Sequence, residues 1–157
     1  MIREMVAGTA CGAVGTMALD VASYADMVRS GRKASDVPAQ LVEKLAARAG
    51  IDALLPPPGG KDEKTKNRQS AAGALVGYGV GLGVGAVYGA IRPGLRSVPW
   101  PLMGLILGAF AMAAADVPTV RLGLTDPKTW GVEGWLGDIV PHAAYGIVTA
   151  WAYEFFA

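Results

Sequence analysis

The sequence has one cysteine, Cys11, and one histidine, His142, in 157 residues. A single thiol excludes an intramolecular disulfide framework and a cysteine-cluster zinc site. Charge is scarce: 17% of residues are Asp, Glu, Lys or Arg, against about 25% in an ordinary soluble domain. The formal net charge of +1 lacks the basic excess that marks a nucleic-acid-binding protein. What is abundant is apolar surface, at 52% of residues, together with 22 glycines. High hydrophobicity excludes intrinsic disorder, which needs the reverse composition, and the glycines show no three-residue period of the collagen kind. The composition is that of one integral membrane domain.

Four segments fit a bilayer. Ala71 to Ile91 is 21 residues without a charge, long enough to cross a hydrocarbon core about 30 Å thick. Val98 to Ala115 is also uncharged and begins with Pro99, Trp100 and Pro101, residues suited to a first helical turn at the membrane interface. Trp135 to Phe156 is a third apolar run, interrupted by Asp138, Pro141 and His142, and Met5 to Met27 a fourth, interrupted by Asp20 and Asp26. The N-terminal run has small residues suited to helix packing and reads as a retained helix rather than a signal peptide. The expectation is an all-α membrane protein over residues 1–157, with spans near 5–27, 71–91, 98–115 and 135–156.

Arg92 to Ser97, with Pro93-Gly94, predicts a tight turn and a hairpin of the second and third spans. Asp116 to Gly134, with Pro118 and Asp126-Pro127, reads as a longer loop, where Trp130 and Trp135 suit an interfacial belt. In the first loop, Ser35-Asp36-Val37-Pro38 reads as a helix start. Leu41, Val42, Leu45 and Ala49 then form an apolar stripe ended by Gly50, which predicts an amphipathic cytoplasmic helix over 36–49. Pro56-Pro57-Pro58-Gly59-Gly60 excludes helix, and Lys61 to Arg68 is a polar, mostly basic lead into the second span.

The first and third loops carry eleven of the fourteen Lys and Arg, which places them in the cytoplasm and both termini outside. Lys61, Lys64, Lys66 and Arg68 are candidates for anionic lipid headgroups, although Asp62 and Glu63 dilute them into an ordinary topology signal.

Gly73, Gly77, Gly81, Gly85 and Gly89 recur every four residues, with Gly8/Gly12 and Gly104/Gly108 spaced alike on the first and third spans. Such a ridge lets another helix approach backbone to backbone, within one bundle or between copies of the chain. The period-two alternation from Gly77 to Gly85 does not make a strand, since an unclosed edge is not viable in lipid. Gly81-x-Gly83-x-x-Ala86 lacks the strand–turn–helix setting of a dinucleotide site.

Ionisable groups in a bilayer are expensive and are functional candidates. Asp20, Asp116, Asp138 and His142 all belong to the same leaflet of a four-span chain. Helical rise puts Asp20 and His142 each about 10 Å deep, so they are expected to share a polar cluster. Asp138 and His142 are one turn apart, Pro141 frees the Gly137 carbonyl beside them, and Tyr145 lies one turn further. The plain alternative is a polar clamp between the first and last spans. A lone histidine with carboxylates lacks the ligand set of a zinc site, so no metal or cofactor is expected.

Pro118, Gly123-Leu124-Thr125, Trp130 and Asp138-x-x-x-His142, with Ala7 to Thr16 at the other end, resemble the YagU-like family of small bacterial inner-membrane proteins. That family carries Glu where this chain has Asp138, and its first loop differs. The resemblance implies a four-span bacterial protein and no particular reaction. No nucleophile–base pair or phosphate loop is present, and Cys11 and His142 fall in different spans. The expectation is a non-enzymatic scaffold, assembly factor or accessory subunit, with membrane lipids and a second copy or larger complex as partners. An oligomeric conductor of protons, ions or small solutes using the Asp/His cluster is the alternative.

Overall fold

The computed structural model describes residues 1–50 and 62–157. The expectations for Pro56 to Gly60 and for Lys61 lie outside the described residues. Every regular element described is helical: α1 (Ile2–Ser30), α2 (Val37–Ala49), α3 (Glu63–Ile91), α4 (Trp100–Arg121) and α5 (Gly131–Phe156). Short 3₁₀ turns, Arg92–Leu95 and Pro127–Thr129, precede α4 and α5. Three helices, α1, α3 and α4, are long and apolar enough to cross a membrane.

Several helix ends differ from the sequence reading, each for a local reason. α3 starts at Glu63 because Asp62 caps it: its carboxylate accepts from the Thr65 amide (2.8 Å) and hydroxyl (2.9 Å). The Thr65 amide, and then its hydroxyl, hold the Asp62 carboxyl below the usual carboxylate range. Thr65 and Gln69 are buried, so what read as a linker is the first two turns of a helix. α4 runs through Pro118 to Arg121 instead of stopping at Ala115. It closes on Gly123, whose φ of 66° suits glycine, as the Gly123 amide donates to Val120 O and the Leu124 amide to Thr119 O. Pro141 lies inside α5 without ending it.

α3 packs along α1, α1 along α5, and α5 along α4, while α3 and α4 touch lightly despite the turn between them. The seams are made by glycine. A Cβ on Gly12 would lie 2.8 Å from the Gly81 carbonyl, and one on Gly85 would lie 2.8 Å from the Gly12 Cα. A Cβ on Gly108 would collide with the His142 carbonyl, 2.5 Å away. The ridge on α3 is thus divided: Gly81, Gly85 and Gly89 meet α1, Gly73 meets Pro38 and Ala39 at the start of α2, and Gly77 meets nothing among the described residues. Val84, Tyr88, Met103, Leu107, Ala111, Tyr145 and Ala150 fill the space between the helices.

Candidate functional site

The antiparallel seams gather the end of α1, the start of α3, the end of α4 and the start of α5 at one end of the bundle. A cleft of about 440 Å³ lies there. Arg32 and Ser35 line it from the segment after α1, and Val37 from α2. Asp116 and Thr119 belong to α4, Thr125 and Trp130 to the connection, and Glu133, Gly134, Gly137 and Asp138 to α5. Gly134 makes room for the Trp130 side chain, because a Cβ there would come within 2.8 Å of it. The Trp130 indole N–H donates to the Thr125 hydroxyl at 2.7 Å, which fixes the ring.

His142 lies at the base of this group. Its Nδ1–H donates to the Asp138 carbonyl at 2.9 Å and stands 3.1 Å from Asp138 Oδ1. Asp138 Oδ2 is buried and accepts no hydrogen bond from the described residues. The Asp116 carboxyl lies against that of Asp138. Arg32 adds the one guanidinium of the cleft, but Asp26 holds it at 2.6 Å.

The structure therefore brings together Asp116, Asp138 and His142. It does not bring Asp20 to them. The hydrogen bond of Asp20 comes from the Tyr78 hydroxyl of α3, at 3.1 Å. Thr16 and Tyr145 both face Gly81, so the heights of the two helices match as helical rise implies. The direction round the helix differs. Tyr145 is buried, but its hydroxyl donates to the Gly81 carbonyl at 2.6 Å, not to His142. Lys64, Lys66 and Arg68 are exposed on the first turns of α3, where Lys66 pairs loosely with Glu63. No group of three His, Cys, Asp or Glu among the described residues is arranged to hold a metal ion.

The cleft residues Arg32, Trp130 and Glu133 had no part in the expected cluster. Arg32 follows Gly31, whose φ of 70° turns the chain back at the end of α1, and Glu133 lies just over one turn before Asp138, facing the same opening. A second polar site was also missed. Arg92, 3% exposed, donates to the Leu95 and Val98 carbonyls and to Glu154 at 2.5 Å, tying the α3–α4 turn to the end of α5. The available signal was an arginine before Pro-Gly with one carboxylate in the last turn of the chain.

No family model, no curated protein and no solved structure matches the chain.

Proposed function

We propose that this chain is a four-span integral protein of a bacterial inner membrane. It serves as a non-enzymatic scaffold, assembly factor or accessory subunit, and its polar cleft is a docking point at the cytoplasmic end. The observation that carries this reading is the closure of the cleft from below. One turn beyond His142, Tyr145 is fastened to the Gly81 carbonyl, and Val84, Tyr88, Met103, Leu107 and Ala150 fill the space beyond it. A closed cleft binds; it does not conduct through a single protomer.

Packing supports a count of four spans. α5 carries Glu133, Asp138, His142 and Glu154, which lower its apolar character, yet it packs along both α1 and α4, which supports reading it in the same slab. Its 26 residues reach about 39 Å at the helical rise. The positive loops support a cytoplasmic α2, read as an amphipathic helix with Val42 and Ala46 buried and the Lys44 ammonium on the Leu122 carbonyl at the end of α4. Exposed Lys64, Lys66 and Arg68 suit anionic headgroups. Gly79 and Gly83 meet nothing among the described residues, which supports reading an outer face of α3 for a second copy or a partner helix. The resemblance to the YagU-like family supports the same class.

Conduction by an oligomer is the second reading, favoured by the Asp116–Asp138–His142 arrangement. Two measurements separate them. Isolation from native membranes in mild detergent is expected to retain a partner membrane protein, and proteoliposomes carrying an internal pH dye are expected to show no flux above empty vesicles. Proton flux removed by His142→Gln would replace the first reading with the second. A cysteine at Lys64 is expected to label from the cytoplasmic side only.

A further inference from the structure

A second groove lies at the connection between α4 and α5 and shares no lining residue with the polar cleft. It holds about 580 Å³ between Pro127, Lys128, Gly131, Val132, Trp135 and Leu136. Gly131, at φ 63°, turns the chain from the 3₁₀ turn into α5, so residues of both elements form its wall. Lys128 is its one charged residue. It is exposed, and no carboxylate among the described residues pairs with its ammonium. The nearest acid in sequence, Asp126, accepts from the Lys128 amide at 3.0 Å, and Glu133 lines the polar cleft instead. The rest of the lining is apolar. Trp135 packs on Trp130 with ring centroids 5.0 Å apart and stays exposed. From the groove, Val132, Leu136, Ile139 and Val140 continue along α5 as exposed apolar residues at helical spacing, on one outward strip.

These features make three demands on an occupant. An unpaired cation favours an anion. A tryptophan pair favours the interfacial zone of a bilayer. An apolar strip running from the groove along a spanning helix favours hydrocarbon. A soluble anion meets only the first demand; an amphiphile with an anionic head and an alkyl tail meets all three. No side chain among the described residues caps α5, so the partial positive charge of its first turn adds to that of Lys128.

We propose that this groove binds an anionic phospholipid, with its phosphate on the Lys128 ammonium and an acyl chain along Val132, Leu136 and Ile139. The inference rests on reading α5 as a membrane span, and it names the lipid. The positive-loop orientation puts the groove in the leaflet whose surface is negatively charged.

The test reconstitutes the full-length protein in phosphatidylcholine vesicles that hold an equal share of either brominated phosphatidylglycerol or brominated phosphatidylcholine. Bromine quenches tryptophan on contact, so extra quenching by the anionic lipid measures its preference for the groove. We expect that preference to be about fivefold and to fall to near parity in Lys128→Gln, the effect of one lysine at an anionic surface. Lys128 is exposed, so this variant is expected to melt as the parent does. Trp135→Phe is expected to remove most of the extra quenching, because Trp135 lines the groove. Arg121→Gln, which removes the other cation of this connection from outside the groove, is expected to keep the preference. Equal quenching by the two lipids, an unchanged preference in Lys128→Gln, or an equal loss in Arg121→Gln overturns the proposal. A co-isolating protein that shields Trp135 from both lipids would assign the groove to that protein and overturn it too. Co-isolation of a partner with Trp135 still open to lipid leaves the accessory-subunit reading standing whichever lipid quenches more.

Discussion

The two ends of the bundle hold charge in opposite ways. At the turn end, Arg92 is enclosed and engaged through Nε and Nη1: the Glu154 carboxylate and two backbone carbonyls accept from them. Tyr153 closes the same region, donating to the Gly89 carbonyl at 3.3 Å and packing edge-on to Tyr88 at 5.4 Å between ring centroids. At the loop end, Asp138 has one oxygen on His142 and one with no donor among the described residues, the Asp116 carboxyl lies against it, and a cleft opens beside them. A satisfied buried charge is a clamp. An unsatisfied one beside a cavity keeps free energy available for a ligand or a proton.

The comparison presumes that both ends belong to one rigid frame, so the sharpest way to break it is at the seam. Gly85→Leu puts a side chain into the Gly12 backbone, where the helices cannot yield without parting. We expect a loss of about 3 kcal/mol or more, seen as aggregation or loss of a cooperative melt in detergent. Gly83→Leu, on the open face of the same helix, is expected to change stability by less than about 1 kcal/mol. Equal effects at the two positions would mean that the α1–α3 seam is not the frame.

The next test is of the clamp. Arg92→Met leaves two carbonyls and a partly buried carboxylate without their donor, and we expect a loss of about 3 kcal/mol in thermal unfolding. At the other end, Asp138→Asn relieves one of two facing carboxylates and is expected to shift stability by less than about 1 kcal/mol. If Asp138→Asn destabilised the protein as much as Arg92→Met, the loop end would be a second clamp.

These contrasts also show what a sequence can carry. Uncharged runs bounded by turns located the helices, because length and hydropathy alone decide whether a segment can span. The ends were less legible. The Asp62–Thr65 cap outweighs the polar look of Lys64 to Arg68, and the Gly123 closure draws α4 past Pro118. Depth along a helix can be read from residue number, so the heights of Asp20 and His142 agreed. Azimuth depends on which neighbours a helix finds, and Asp20 turned to Tyr78. The glycine period showed that close approach was needed. It could not show that α1 takes three of those glycines and α2 takes one. Arg92 read as a topology charge because its partner, Glu154, lies 62 residues away.

The smallest expected effect concerns the loop end outside the membrane, where the comparison acquires a pH dependence. Asp62 caps α3 as a carboxylate, and the Thr65 amide and hydroxyl that it accepts favour its charged form. Its folded-state pKa lies below that of an unfolded aspartate, about 3.9. The sign follows from linkage: the cap's contribution is complete above about pH 4 and is lost as pH falls through the folded-state value. The first turns of α3 should therefore fray in acid before the glycine seams do. Hydrogen exchange at Thr65, corrected for intrinsic rates, is expected to speed up in that window while exchange in the Gly81–Gly89 stretch stays protected. Asn is as good a cap as Asp but does not titrate there, so Asp62→Asn should keep Thr65 protected and flatten its acid dependence. An acid response unchanged in Asp62→Asn would assign the fraying to another group at this end and remove Asp62 as its origin.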